Sequence, residues 1–171
     1  LALEDEQRYN HLLDCMQMIF PFDAAAVLKL DSNLLKPLAT RGLSDDVLGR
    51  RFVVNEHPRF SLALNSREPV HFESHSTLPD PYDGLIDDTA FNTHVHDCMG
   101  IALFIDQRPW GLLTLDAVQP GTFEHISPLE LKTFTRLTEA AVKAAERIET
   151  LENNAAHHQL INQVLSSESP G

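Results

Sequence analysis

The chain has 171 residues, 43% of them hydrophobic, which is enough for a single folded domain with a substantial core. Its formal net charge of −12 comes from 25 acidic against 13 basic residues, and this excess opposes direct binding to nucleic acid. Two cysteines make no disulfide framework, and no apolar run reaches the roughly 18 residues that a membrane span needs, so we expect a reduced, cytoplasmic protein.

The first part of the chain predicts one helix followed by short strands. Apolar residues at helical spacing indicate a helix over residues 3–19, which Pro21 ends. Two strands, over residues 24–30 and 34–40, are joined by residues 31–33, whose Asp-Ser-Asn sequence favours a tight turn. The remaining elements are a short helix at 44–48, a strand at 52–54, a helix at 58–64 and a strand at 69–72.

A long loop over residues 73–95 then separates these elements from a second pair of strands. Ordered loops longer than about 12–15 residues are usually functional or disordered, so we expect function in this segment. The two strands are predicted over residues 99–105 and 110–118, with residues 106–109 as the hairpin between them. This part of the sheet is therefore predicted to be antiparallel.

The chain closes with a long predicted helix. Its start is marked at Ser127-Pro-Leu-Glu130, which fits a capping box with proline at the first helical position. Apolar residues then recur at alternating three- and four-residue steps, which defines a heptad seam of Phe134, Leu137, Ala141, Ala144, Ile148, Leu151 and Ala155. Packing on the chain's own sheet explains only the first half of this seam. We therefore predict a homodimer that pairs through the C-terminal helix.

Oxygen and sulfur donors occur at the rims of the predicted strands and in the long loop. They are Asp80, Asp83, Cys98 and Asp116. Three carboxylates and a thiolate suit a transition metal of intermediate softness such as iron. Two alternatives stay open, because Asp-Pro and Asp-Gly steps are also ordinary turn chemistry. In addition, His94, His96 and Cys98 would share one face of a strand that began early, as a rival zinc or iron site.

In chain order these elements describe an α+β fold with a central antiparallel sheet, helices packed on one face and a long C-terminal helix. This is the layout of GAF sensor domains. Five segments have more specific sequences: GLSDDVLGRRF at 42–52, HPR at 57–59, LPDPYDGLI at 78–86, VHDC at 95–98, and LTLD at 113–116 with QP at 119–120. Together they resemble the amino-terminal regulatory GAF domains of the NorR family, which are nitric-oxide-responsive bacterial enhancer-binding proteins.

The resemblance implies a mononuclear non-haem iron, Fe²⁺, and a set of residues that bind it. The implied ligands are Asp80, Asp83, Cys98 and Asp116. The ligand set proposed for the family also includes an arginine, and Arg59 occupies the matching position. A guanidinium has five donors and no lone pair, so we expect Arg59 beside Asp80 or Asp83 rather than on the metal.

Two further residues are expected near this iron without binding it. Tyr82 lies between the two loop aspartates and is expected to pack over the site or to contact the next domain, although a plain turn aromatic is an equal alternative. His96 matches a family histidine that lies two places before the cysteine and is not assigned as a ligand. His94 is expected at the surface.

The resemblance also implies a function. Nitric oxide would bind the iron and relieve repression of a downstream AAA+ ATPase that works with σ54 polymerase. Residues 1–150 would be the GAF sensor domain, and residues 151–171 a helical linker toward that ATPase, which is absent from this chain. Since the chain begins at Leu1, we expect it to be a piece of a longer protein. No catalytic residue is expected, and the chain is not predicted to be an enzyme.

Two rival functions follow from the same residues. A non-haem iron oxygenase would usually need a face of two histidines and one carboxylate, which the thiolate and three carboxylates do not match. A GAF module that binds a small organic ligand would instead need a basic or aromatic-lined pocket.

Overall fold

A curled antiparallel sheet forms the centre of the molecule in the computed structural model, which describes residues 2–85 and 97–167. In these ranges the strands are β1 (Ala24–Asp31), β2 (Leu34–Arg41), β3 (Phe52–Val53), β4 (Val70–Phe72), β5 (Asp97–Ile105) and β6 (Arg108–Ala117). Their order across the sheet is β3-β2-β1-β6-β5-β4. The two hairpins, β1–β2 and β5–β6, therefore lie side by side at the centre.

The helices lie close to the positions predicted from the sequence, and some of their end residues differ slightly from the prediction. They are α1 (Ala2–Ile19), α2 (Pro58–Leu64) and α3 (Pro128–Ser167), together with short 3₁₀ helices at Asp45–Gly49, Val54–Glu56 and Thr122–His125. The predicted α+β class with a long C-terminal helix is confirmed. None of the described helices is long and apolar enough to cross a membrane.

Both faces of the sheet are covered, which goes beyond the prediction of helices on one face. Along β1, Ala25 and Val27 pack in the core beneath α1 and α3. The alternate residues Ala24, Ala26 and Leu28 pack in a second core, to which α2 contributes. All five are fully buried, as expected for a central strand with neighbours on both faces.

The turn between β5 and β6 is tighter than the sequence predicted. Asp106 and Gln107 alone form it, both with positive φ (50° and 68°), the backbone of a primed two-residue hairpin. Arg108 and Pro109 already belong to β6. A register shift between Leu103 and Phe104 absorbs the extra residue in β6.

One face of helix α3 packs on the sheet, and most residues of the predicted heptad seam lie outside that face. Its buried positions are Leu131, Phe134, Thr138, Val142 and Ala145. Of the seam, Phe134 belongs to this face, whereas Leu137 is 64% exposed and Ile148 and Leu151 are also exposed. Every residue from 147 to 167 is exposed.

Among the described residues, the last side-chain hydrogen bonds between α3 and the sheet are made by Glu146. Its Oε1 accepts hydrogen bonds from Lys29 Nζ (2.8 Å) on β1 and from Trp110 Nε1 (3.0 Å) on β6. The salt bridge and the indole bond together fix this turn of the helix against two central strands. Beyond it the helix continues unbroken to Ser167.

Candidate functional site

The candidate site lies on the face of the sheet that α2 covers. Cys98 on β5 is directly opposite Asp116 on β6, so the two side chains project to the same face. Asp116 is also opposite Ala24, which belongs to the core beneath α2. Cys98 is 6% exposed and Asp116 is fully buried. The sheet register therefore brings two of the predicted ligands together inside the protein.

The long loop folds Tyr82 over this face. The Tyr82 side chain is 1% exposed, and its hydroxyl hydrogen-bonds the Thr114 hydroxyl at 3.0 Å. The ring meets those of Phe52 and Phe60 edge to face, at 5.9 and 5.7 Å between centroids. The Asp80 carboxylate accepts a hydrogen bond from Tyr82 N (3.0 Å), which fixes the turn just before the tyrosine. Tyr82 thus packs on the face of the sheet that carries Thr114 and Asp116, and its role at an iron site stays a prediction.

Asp80, Cys98 and Asp116 form one electrostatic cluster. Burial raises the pKa of the Cys98 thiol well above its usual range, the negative charges of Asp116 and Asp80 raise it further, and Arg59 partly opposes them. Burial likewise raises the pKa of Tyr82, to which the charges of Asp116, Cys98 and Asp80 add. Cys98 is therefore a protonated thiol at neutral pH unless a cation joins the cluster.

Arg59 supplies a positive charge next to this cluster. It lies on α2, is buried, and donates from Nε and Nη2 to the Leu78 carbonyl at 3.1 and 2.8 Å. Its guanidinium carbon is 5.3 Å from the centroid of the Phe72 ring. The side chain thereby holds the loop two residues before Asp80. This position suits a residue that balances charge beside the site.

The remaining predicted residues are not brought into the cluster. Asp83 is exposed, and its N–H donates to the Asp80 carbonyl at 3.2 Å within the turn. His94 and His96 lie outside the described residues. Within residues 2–85 and 97–167, no group of three or more His, Cys, Asp or Glu side chains has an arrangement that could hold a metal ion. The complete ligand set stays a prediction.

The chemistry of the converging groups nevertheless fits a divalent cation. Asp116 and Cys98 are buried and Asp80 is half-buried, and ionised groups are costly in such surroundings. A divalent metal would provide a counter-charge, and it would bind the thiol as thiolate with release of a proton. Asp80, Cys98 and Asp116 are the residues that would hold it, and the loop would have to move to bring Asp80, and then Asp83, onto the metal.

Two contributors to the site were not identified from the sequence. Thr114 lies two positions before Asp116, and the period of two along a strand would have placed both on one face. The Leu78 carbonyl that accepts from Arg59 is a backbone group in an irregular loop, so no sequence signal marks it.

A third missed residue, Asp97, lies on the opposite face of the sheet. It is buried, and its two oxygens bond His71 Nε2 (2.8 Å) and accept from Phe123 N (2.9 Å). Asp97 therefore joins the start of β5 to β4 and to the 3₁₀ helix that precedes α3. Asp97 directly precedes Cys98 in the sequence. Because successive residues of a strand point to opposite faces of the sheet, this position could have predicted that Asp97 lies on the other face.

The stability of the metal-free protein is expected to fall as pH rises above about 8.5, the usual pKa of a free cysteine. The folded pKa values of Cys98 and Tyr82 are raised, so the unfolded chain loses these protons first. Their contribution is complete below the unfolded values and is lost as pH rises through the folded ones. Urea unfolding at neutral and at alkaline pH measures the loss. Cys98→Ser should lose less than the wild type, and equal losses would contradict the assignment to Cys98.

A model of the GAF domain family matches residues 6–145. The nitric oxide reductase transcription regulator NorR1 of Cupriavidus necator is 45% identical over 137 residues, which are 80% of this chain and 27% of that protein. The regulatory protein LuxO of Vibrio cholerae is 38% identical over 165 residues, 96% of this chain and 31% of its own length. The chain thus spans less than a third of these relatives.

Among solved structures, the GAF domain/HD domain protein from Geobacter sulfurreducens superposes with a TM-score of 0.67. The match covers 87% of this chain and 96% of that chain, at 12% sequence identity. At this identity the likeness shows the fold alone.

Proposed function

The chain belongs to the GAF domain family, and on that basis we propose that it is the nitric-oxide-sensing regulatory domain of a bacterial transcription activator. Similarity to regulators of nitric oxide reductase supports this proposal. The observation that carries it is the buried placement of Cys98 opposite Asp116, within reach of the charges of Asp80 and Arg59. The expectation that the chain is not an enzyme is confirmed, since it is a GAF domain whose relatives are named as regulators.

The proposed cofactor is a mononuclear non-haem Fe²⁺, held by Asp80, Cys98 and Asp116 once the loop rearranges, with Asp83 as a fourth ligand. Such an iron supplies a coordination position that nitric oxide, which is small and neutral, can occupy. Two carboxylates and a thiolate would leave the iron site with one net negative charge. The nearby Arg59 guanidinium would offset it.

In this proposal the chain's own residues convert ligand binding into a change of conformation. Tyr82 covers the cluster, and Arg59 fixes the Leu78 carbonyl, so a shift of Asp80 would move the loop that holds both contacts. A ligand shifts an equilibrium only by its difference in affinity for the two states. Nitric oxide must therefore favour the state in which a downstream AAA+ ATPase, working with σ54 polymerase, is no longer repressed.

A homodimer through α3 is part of the same proposal. The seam residues Leu137, Ile148 and Leu151 face away from the sheet and are exposed, so a second copy of the helix has an apolar surface to pack on. Residues 151–171 would then be the helical linker that leads to the ATPase domain. The protein is proposed to act in the cytoplasm.

Anaerobic reconstitution with Fe²⁺ followed by nitric oxide is the experiment that tests this function. An electron paramagnetic resonance signal should appear only when both are present, and chelation of the iron beforehand should prevent it. A silent sample with full iron occupancy would contradict the proposal. Retention of an organic ligand after removal of the metal would favour the rival GAF function.

Substitution of Arg59 should separate charge compensation from direct ligation. Lysine keeps the charge but cannot reproduce the two bonds from one planar group to the Leu78 carbonyl. We expect Arg59→Lys and Arg59→Ala both to retain Fe²⁺, with the nitric oxide response altered modestly in the first and strongly in the second. Metal analysis and spectroscopic titration measure the two effects. Equal loss of iron from both variants would instead indicate that Arg59 is a ligand or an obligatory part of the site.

The two loop aspartates provide a matched comparison. Asp80 acts on the charge of the buried cluster, whereas Asp83 is exposed on the same turn. Asp80→Ala is therefore expected to weaken Fe²⁺ binding about tenfold more than Asp83→Ala, a difference of about 1.4 kcal/mol. Competition with a metal indicator gives both affinities. Equal and stoichiometric iron binding by both variants would mean that these aspartates only shape the turn.

A further inference from the structure

The heptad seam of α3 continues beyond the sheet almost to the end of the helix. Its first residue clear of the sheet is Leu137, which is exposed. Counting on from Ala155 in steps of three and four residues places His158, Asn162 and Leu165 in line with it, and all three are exposed. The extended seam, residues 137–165, therefore runs along about 43 Å of helix.

The residue types along the extended seam are those of a two-stranded coiled coil. In heptad notation, position d is taken by Leu137, Leu151 and Leu165. Ile148 takes an a position, and a β-branched residue at a with leucine at d favours two strands. Asn162 takes another a position, where a single asparagine fixes the register at a cost in stability. The other members are small or polar, namely Ala141, Ala144, Ala155 and His158. We therefore expect pairing with a second copy that reverses on dilution.

Charges beside the extended seam distinguish parallel from antiparallel pairing. Arg147 takes position g and Glu152 takes position e of the next heptad, and both are exposed. In a parallel pair, g of one helix lies beside e of the following heptad on the other, so each Arg147 faces a Glu152 of the second copy. In an antiparallel pair, g lies beside g and e beside e, and no other residue at these positions between 137 and 166 is charged. Only the parallel arrangement therefore brings opposite charges together.

The contacts of α3 with its own domain leave these groups accessible. Arg147 lies near Asp106 at the β5–β6 turn, but Asp106 is already paired with Lys143 at 2.8 Å. The buried positions of α3 end at Ala145, and Glu146 bonds the sheet from another side of the helix. The extended seam and its flanking charges can therefore meet a second copy without breaking a contact within the domain.

We propose that two copies of this chain pair along residues 137–165 of α3 as a parallel, in-register coiled coil. Two ion pairs between Arg147 and Glu152 fix the orientation, and the two Asn162 side chains meet across the axis and fix the register. The inference rests on the homodimer of the proposed function, to which it adds orientation and register, and it does not depend on the iron. Parallel pairing places both sensor bodies at the same end of the coiled coil.

Disulfide formation between introduced cysteines tests the orientation in the metal-free 171-residue chain. The Cys15→Ser variant is the background, because its remaining Cys98 is buried. In it, Leu151→Cys and Leu165→Cys should each link to the same position of a second copy under mild oxidation. The two positions are about 21 Å apart along the helix, and an antiparallel pair can bring identical residues together at only one of them. Asn153→Cys, exposed on the opposite side of the helix, is the control and should not link.

Charge exchange tests the ion pairs by sedimentation equilibrium. Arg147→Glu and Glu152→Arg should each raise the dimer dissociation constant about fivefold, since two exposed ion pairs become like-charge pairs. The double variant should recover the wild-type value. Glu149→Arg makes the same charge change as Glu152→Arg at an exposed position off the extended seam, and it should have little effect.

The outcomes separate this inference from the proposals on which it rests. A chain that stays monomeric at all concentrations overturns both the homodimer and its geometry. A dimer in which Leu151→Cys and Leu165→Cys do not both link, or in which the double charge variant fails to recover, overturns the parallel arrangement and leaves the homodimer standing. Correct links in a protein without a nitric oxide signal would support this inference and contradict only the iron function.

Discussion

Replacement of Cys98 by serine is expected to weaken Fe²⁺ binding by at least about 100-fold, the upper end of the effect of removing a residue that only supports a ligand. The hydroxyl is close in size to the thiol but is not ionised at neutral pH, so the variant loses an anionic ligand without leaving a large cavity. The side chain is buried opposite Asp116, and the fold should persist. Iron content after anaerobic reconstitution and desalting measures the loss.

Cys15 is the matched control, because it is the other cysteine of the chain and is exposed on α1. Cys15→Ser should bind iron as the wild type does. A Cys98→Ser protein that retains iron and its nitric oxide signal would show that the proposed ligand set is wrong. The alternative donors His94 and His96 would then be the first to test.

Asparagine at position 116 is expected to abolish iron binding and, at the same time, to stabilise the metal-free protein by about 1–2 kcal/mol. Asp116 is fully buried and lies close to Cys98 and Asp80, and burial of a charged side chain beside other acidic groups generally costs stability. Asn preserves the shape and removes the charge. A site that keeps such a residue sacrifices stability for function.

Urea unfolding of the metal-free wild type and Asp116→Asn measures the stability difference, and metal analysis measures the loss of iron. Leu115→Asn is not a suitable comparison because its side chain belongs to the apolar core on the other face. Thr114→Val removes the uncharged partner of the buried Tyr82 hydroxyl on the same face and is expected to destabilise the protein, so it separates loss of charge from loss of a polar group. If Asp116→Asn unfolds more easily and still binds iron, Asp116 is a structural acceptor.

The sequence predicted most of the fold because its local signals agreed with one another. The limits of α2 were predicted as Pro58–Leu64 and α3 was predicted to begin at Pro128, where proline and a capping serine mark the starts. Strand ends were less accurate: β5 begins at Asp97 rather than at 99, since a buried aspartate with partners on other elements does not look like a strand residue. Tertiary hydrogen bonds, which no local pattern records, decided that boundary.

The candidate site was predictable in part for a similar reason. Cys98 and Asp116 both lie in strongly apolar strands, and the antiparallel register places them opposite each other. Asp80 and Asp83 share one turn in the sequence, yet only Asp80 acts on the buried cluster while Asp83 is exposed. The direction of a side chain in an irregular loop depends on backbone angles that composition does not determine.

The attachment of α3 at Glu146 has a mechanical consequence. From residue 147 to Ser167 the helix has no buried side chain, and 21 residues at 1.5 Å each make an arm of about 30 Å. A tilt of only about 10° where the helix leaves the sheet would sweep its far end through about 5 Å, close to one helical turn. A rigid rod pivoted at the edge of a sensor in this way magnifies a displacement too small to matter within the domain itself.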